Sequence, residues 1–387
     1  MHHGLRGRGH HQSVRSAADA SESWSGSRQP SSRRPGVLTV TLVAFAVAVM
    51  LSLTGRSAYE GLLAWDVRFA YLPAVEAVLD GRSPYPQLDD PILDDQKGYV
   101  YPPQLLLALV PLAPLPVDVA AILVAVGMLA LLLLTLRVLE IRDIRCYAAA
   151  LLWVPVISGV LLANISIPLA FALAVVWRYR HATLSPAIAL GLAVSAKLLL
   201  WPMFVWTLAT RRFRVTVLAI LIGAGVALGA WAVIGFDGLG GYPDLLQRLS
   251  DIQAERSYSI VGMTSTLGLG ETVGQALALA LGGGLLVGCV VLARRGDEAR
   301  SFTCAIAATL VLSPIVWLHY LVALLVPLAI LRPRFSVIWL LPVLLWVSPK
   351  PGYAEGFATF MPAVAAVILL AVLLRPLAAS RVAAVRA

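Results

Sequence analysis

The sequence predicts an all-α polytopic membrane protein, and three observations carry that prediction. The 387 residues are 59% hydrophobic and only 13% charged, a balance foreign to a soluble domain. Apolar runs recur along nearly the whole chain, too long and too numerous for a soluble core. The basic residues between those runs gather in alternate loops, as in a chain threaded back and forth through a bilayer. The net charge of +9 also raises the possibility of nucleic-acid binding. That function needs a basic patch interleaved with aromatics on one folded surface, and here the charge sits in short loops.

Residues 1–36 are rich in Gly, Ser, His and Arg and have no apolar periodicity, so they read as a disordered basic cytoplasmic tail. His2, His3, His10 and His11 have no acidic or Cys partner at ligand spacing, and no metal site is assigned there. The apolar segment starting near Val37 is span-length and lacks a small-residue cleavage site, which makes it a membrane helix rather than a cleavable signal.

Apolar segments then fall near 37–54, 117–136, 146–163, 165–177, 183–196, 198–209, 215–236, 272–293, 302–317, 320–331, 335–347 and 357–374. Set against the ~20 residues of a full crossing, they predict a bundle of about twelve transmembrane helices over residues 37–376. The stretch Gln104 to Leu115, bounded by Pro102, Pro103 and Pro116, predicts a re-entrant or interfacial helix. Residues 377–387 form a second tail. Cys146, Cys289 and Cys304 all lie in or at the ends of apolar segments, so neither a disulfide framework nor a thiolate metal site is indicated.

Placing the N-terminus inside collects Arg137, Arg142, Arg145, Arg178, Arg180, Arg211, Arg212 and Arg214 on the cytoplasmic side. Arg294, Arg295, Arg300, Arg332, Arg334 and the C-terminal tail join them, and the loops 55–102 and 237–270 lie outside. Between Arg180 and Arg211, and again between Arg300 and Arg332, the chain has about thirty residues for an outward and a return pass, where two full spans need roughly forty. These hairpins are therefore expected to be short or broken, as happens where backbone is buried in protein or lines a cavity. Their apices hold Lys197 and His319-Tyr320.

Asp66, in the first external loop, is a carboxylate at the mouth of the bundle and a candidate general base. Its alternative is an ordinary helix cap, because the segment Asp66 to Leu79 aligns Phe69, Leu72, Val75 and Leu79 in an amphipathic stripe kinked at Pro73. Lys197 interrupts an apolar run, where an ammonium must either snorkel or hold an anion such as a phosphate. His319 offers a phosphate donor or a structural imidazole. Asn164 sits in a short turn and serves either the turn or a sugar, while Arg248, Arg256 and Tyr258 are either acceptor contacts or parts of a solvated surface. There is no P-loop, no dinucleotide fingerprint and no Asp-x-Asp beside a predicted strand. The acids Asp89-Asp90 and Asp94-Asp95 read as a flexible insert among Pro and Gln.

One ordered set of residues goes further. Asp66 with Tyr71, then Leu79-Asp80-Gly81-Arg82-Ser83-Pro84-Tyr85 and Tyr101-Pro102-Pro103, followed by Asn164, Lys197 with Pro202, Arg211-Arg212, and Ser313-Pro314 with Trp317, His319 and Tyr320, resembles glycosyltransferase family 87. Leu162-Ala163 precede Asn164 where the family often has Gly-Gln, and the acidic insert between Tyr85 and Tyr99 looks individual to this chain. The resemblance implies a GT-C fold and a polyprenyl-phosphate-mannose-dependent α-mannosyltransferase, similar to the phosphatidylinositol mannoside mannosyltransferases.

On that resemblance Asp66 is the base of an inverting displacement, and Lys197 and His319 hold the donor phosphate. Tyr71, Tyr101, Asn164, Tyr320 and Arg256 are expected to touch substrate. No cofactor or metal is expected. The implied partners are the lipid-linked donor, a glycolipid or polysaccharide acceptor and membrane lipid, at the extracytoplasmic face of a bacterial plasma membrane. A pentosyl transferase using polyprenyl-phosphate arabinose is the nearest competing activity. A lipid-linked-sugar flippase or transporter would be expected to show matching repeats, and none is evident.

Overall fold

The structure, a computed structural model, describes residues 36–347 and 356–375. The tail expected over residues 1–36 lies, apart from Gly36, outside the described residues, as does the tail 377–387. Every regular element among the described residues is a helix. In chain order these include α1 (Val37–Tyr59), α2 (Leu72–Leu79), α3 (Pro103–Leu109), α4 (Val117–Val138), α5 (Ile144–Leu151), α6 (Val154–Leu162), α7 (Ser166–Arg178) and α8 (Leu184–Ala196). They continue with α9 (Pro202–Ala209), α10 (Phe213–Val233), α11 (Tyr242–Gln253), α12 (Ile260–Thr266), α13 (Glu271–Arg294), α14 (Glu298–Val311), α15 (Leu325–Leu331) and α16 (Phe360–Leu374).

Four of these, α1, α4, α10 and α13, are long and apolar enough to cross a membrane, and α5 with α6, bent by 65° at their junction, are so only as a pair, either a broken span or a re-entrant loop. The bend falls where Pro155, in the first turn of α6, offers no N–H to the turn before it. The remaining apolar segments form shorter helices, because Asn164, Lys197, Pro202, Pro314 and Pro342 interrupt runs that are continuous in hydrophobicity alone.

Both short hairpins are broken. In the first, α8 ends at Ala196, Lys197 is extended with φ −154° and ψ 113°, and a 3₁₀ turn (Leu198–Leu200) leads to α9. In the second, α14 gives way to irregular backbone and then to a 3₁₀ segment (Leu318–Leu324) before α15. Backbone groups freed at the breaks find partners, as a low-dielectric setting demands. The Gln104 side chain donates to the Ser195 carbonyl, and the Tyr258 N–H donates to the Val316 carbonyl at 2.7 Å.

The main core forms around α5 to α9, α14 and α15, with Trp153, Trp206 and Trp339 fully buried. Their polar edges are used: the Trp153 indole donates to the Trp339 carbonyl at 2.8 Å and the Trp339 indole to the Arg332 carbonyl at 3.0 Å. α8 packs extensively against α10. A Cβ on Gly191 would stand 2.6 Å from the Ala219 carbonyl oxygen, so only glycine permits this crossing. Arg180 and Arg212 share Glu298 at 3.3 and 2.9 Å, stapling three interhelical loops.

A second, smaller core surrounds α2. Here the expected amphipathic stripe is corrected. Residues Val67–Tyr71 form a π-turn ahead of α2, and with the widened turn the buried face takes in Val67, Ala70, Tyr71 and Ala74 beside Leu72 and Val75 of the expected stripe, while Phe69 is half-buried and Leu79 exposed. Pro73, lacking an N–H, accounts for the irregular turn preceding it. The acidic insert is also more built than its composition implies. Asp90 caps a 3₁₀ turn (Pro91–Leu93) by accepting from the Ile92 N–H at 2.9 Å, and Leu93 is buried.

Candidate functional site

A cavity of about 700 Å³ opens where the two hairpin breaks meet the loops after α1 and α6, and the sequence candidates converge on it. Asp66 reaches it from the start of the π-turn. That turn is anchored by Arg68, which donates to the Leu63 carbonyl at 2.7 Å and pairs with Asp118 of α4 at 2.5 Å. Although Asp66 stands at a helix start, its carboxylate caps no backbone N–H. Its Oδ2 instead accepts from Asn164 Nδ2 at 2.7 Å and from the Tyr71 hydroxyl at 3.3 Å. The capping alternative therefore falls.

Asn164 is delivered by the end of α6, where Ala163 takes a left-handed conformation with φ 53°. Its amide orientation is forced. Asn164 Oδ1 accepts from the Ser166 N–H at 3.0 Å and from the Ser166 hydroxyl at 2.8 Å. A backbone N–H can only donate, so the oxygen must face Ser166 and the NH₂ must face Asp66. The same NH₂ also donates to the Tyr101 hydroxyl at 3.3 Å. Asn164 is thus buried and spent on orienting Asp66, in contrast to the substrate contact expected of it. Asp66 Oδ1 accepts no hydrogen bond from the described residues, so it is the oxygen available to a ligand.

Burial pushes the Asp66 carboxyl up to about 6, against the lowering effects of the Asn164 and Tyr71 hydrogen bonds and the Lys197 charge. It is mostly ionised at neutral pH yet far more basic than an exposed carboxylate, which suits proton abstraction. Burial likewise raises the phenols of Tyr71 and Tyr101, keeping both as protonated donors.

Lys197 faces the same cavity from the break after α8. Its Nζ is buried without a hydrogen-bond partner among the described residues. It lies 3.7 Å from the centre of the Tyr320 ring and 5.3 Å from that of Tyr101, a cation held by aromatic faces with its donors unused. His319 is buried too, its Nε2 unpartnered among the described residues, with the Tyr320 ring edge-on at 5.0 Å. Two buried groups with spare donors beside one cavity are suited to an anion.

Asp66, Tyr71, Tyr101, Asn164, Lys197, His319 and Tyr320 all line this one space. Arg256 does not. Expected as a substrate contact, it is exposed and absent from the cavity wall, because the chain there turns α11 inward through Gln253 instead. Next to Lys197 the lining becomes apolar, with Leu198, Leu199, Trp201, Leu312, Pro314 and Trp317. The insert and α11 contribute Asp95, Gln96 and Gln253 to the same lining, residues to which sequence reasoning gave no role in the site. Ser166 was missed as well, although a Ser two residues after a turn Asn is a legible turn signal. Among the described residues no group of three His, Cys, Asp or Glu side chains could hold a metal ion.

A chain with membrane-crossing helices that gathers a carboxylate, a lysine and a histidine in one cavity has the groups needed for group transfer within a membrane. The match to known families makes the class specific. The model of glycosyltransferase family 87 matches residues 99–314, more than half of the 387, and the chain belongs to that family. It is a membrane glycosyltransferase. No curated protein and no solved structure matches the chain. The matched span contains Tyr101, Asn164 and Lys197, whereas Asp66, Tyr71, His319 and Tyr320 lie outside it and are joined to it by the cavity.

Proposed function

We propose that this glycosyltransferase moves mannose from a polyprenyl-phosphate carrier to an extracytoplasmic glycolipid or polysaccharide acceptor, by a single inverting displacement that needs no metal. The observation that carries the proposal is the asymmetry of Asp66. One oxygen is held by Asn164 and Tyr71, and the other is free beside Lys197 and His319.

The acceptor hydroxyl donates to Asp66 Oδ1 and attacks the anomeric carbon. Its proton passes to the carboxylate as the new C–O bond forms. The bond from the anomeric carbon to the phosphate oxygen breaks with its electron pair on the phosphate. Lys197 Nζ and the Nε2–H tautomer of His319 donate to that oxygen cluster, replacing water with preorganised donors. Inversion converts a β-linked donor into an α-mannoside. The apolar slot of Leu198, Leu199, Trp201 and Leu312 takes the first isoprene units, while the polar floor takes the phosphate. In the GT-C arrangement of about twelve crossings that this reading adopts, the cavity opens on the extracytoplasmic face, opposite the Arg-rich loops.

The test uses the full chain in membranes with radiolabelled polyprenyl-phosphate mannose and, in parallel, the arabinose donor. Labelled product is expected from the mannose donor, in the presence of EDTA, and is expected to vanish in Asp66→Asn. Turnover by folded Asp66→Asn at the wild-type rate refutes the base assignment, and transfer from the arabinose donor alone refutes the sugar.

A further inference from the structure

Part of the cavity wall is formed by the insert 86–98 and α11, and two of its polar side chains, Gln96 and Gln253, are hydrogen-bonded to each other. Gln253 is buried, and its Nε2 donates to the Leu93 carbonyl at 3.2 Å. A carbonyl can only accept, so the NH₂ of Gln253 must face Leu93 and its Oε1 must face Gln96. Gln96 Nε2 donates to that oxygen at 3.2 Å. The second amide is thereby oriented as well. Gln96 Oε1 takes no hydrogen bond from the described residues and is left as an acceptor at the cavity wall.

Gln96 also holds a left-handed backbone, φ 57°, a conformation that costs a non-glycine residue free energy and that persists where the surroundings impose it. Its neighbour Asp95 lines the cavity and pairs with Lys97 through Oδ2 at 3.2 Å. The insert is tied down at two further points, by Arg248 donating to the Leu88 carbonyl at 3.3 Å and by the Tyr242 hydroxyl donating to the Val100 carbonyl at 3.0 Å. This wall is therefore a fixed surface, and what Gln96 and Asp95 offer on it is acceptors. Such acceptors receive hydroxyl donors.

We propose that Gln96 and Asp95 form the subsite for the polyhydroxylated head group of the acceptor, with Gln253 as the positioning residue that aims Gln96. The inference rests on the donor reading above. The donor's phosphate and lipid chain occupy the cationic floor and the apolar slot, which leaves the insert wall to the second substrate. A sugar ring, neutral and rich in hydroxyls, fits its chemistry. The residues that select the acceptor are thus carried by the insert, and the leaving-group machinery stands on the hairpin breaks.

The test compares full-length wild type with Gln96→Asn and Asp95→Asn. Asparagine tolerates the left-handed backbone while retracting the amide by one methylene, and Asp95→Asn removes the charge at constant size. Polyprenyl-phosphate mannose is the donor, and octyl α-mannoside and octyl β-glucoside are the acceptor probes. Each variant is expected to raise the KM for the accepted probe about three- to tenfold, the effect of one lost hydrogen bond. The KM for donor and the rate of donor hydrolysis by water are expected to stay at wild-type values. A rise in donor KM instead, or no change in either constant, overturns the proposal. So does wild-type protein that hydrolyses donor but transfers to neither probe. Wild-type protein that consumes no donor at all defeats the donor reading instead, and the two failures are told apart by the hydrolysis measurement.

Discussion

Replacing Asn164 with leucine, which keeps the size of the side chain but removes both polar ends, isolates the role of the amide. The wild-type Asp66 carboxyl sits at about 6 because burial outweighs the Asn164 and Tyr71 hydrogen bonds and the Lys197 charge. The variant deletes the 2.7 Å donor and keeps the burial. A hydrogen bond to a charged group contributes roughly 1.5–3 kcal/mol, and one pKa unit is about 1.4 kcal/mol, so the carboxyl rises by roughly one to two units.

The sign follows from which form reacts. The base must be ionised, so a raised value depresses the rate on the acid side and leaves the alkaline side intact. With the carboxyl near 6, roughly nine-tenths of it is ionised at pH 7; with a rise of about 1.5 units, roughly a quarter is. The pH–rate profile of sugar transfer by Asn164→Leu should therefore show an acid limb displaced upward and a rate at pH 7 lowered about fourfold. An acid limb that stays near pH 6, or a rate lowered equally at all pH values, refutes the orienting role. The second outcome would mean that Asn164 binds the sugar itself.

Three further outcomes are expected. Lys197→Met should raise the donor KM by about tenfold or more while changing the octyl α-mannoside KM little, since a charged donor to phosphate is lost; steady-state kinetics with each substrate varied checks this, and the reverse pattern contradicts it. Gly191→Ala places a Cβ 2.6 Å from the Ala219 carbonyl and should destabilise the α8–α10 crossing by about 1–3 kcal/mol, read as a lowered Tm of the purified protein. An unchanged Tm would show that the two helices part freely. Finally, Cys146, Cys289 and Cys304 are all buried, so a cysteine introduced at Asp89 is a clean reporter and should react with an impermeant maleimide from outside the cell. Labelling from the cytoplasmic side alone inverts the proposed orientation.

Hydrophobicity and charge order are properties of the chain itself, and they were enough for the all-helical membrane class and the breaks at Lys197 and His319. The reason is energetic. A polar interruption of an apolar run is costly in lipid wherever it falls, so it is legible without coordinates. The same logic could not say which runs form long continuous helices, because hydropathy does not register the Pro and Asn positions where the backbone turns. The altered face around α2 was equally hidden, since a π-turn changes the angular register of every residue after it.

The candidate site divides along the same line. Asp66, Lys197, His319 and Asn164 could be named from the sequence because each is out of place in its own segment. What each one does was decided by partners far away in the chain. Asn164 faces Asp66 because Ser166 claims its oxygen, and Gln96 faces the cavity because Leu93 orients Gln253. Hydrogen-bond direction depends on which donor meets which acceptor, and no local pattern encodes that. The sequence alone therefore determined the membrane class and which polar residues stand out within it. Only the tertiary structure decided that they share one cavity, that the Asp66 carboxylate is aimed rather than capping, and that the acidic insert forms part of its wall.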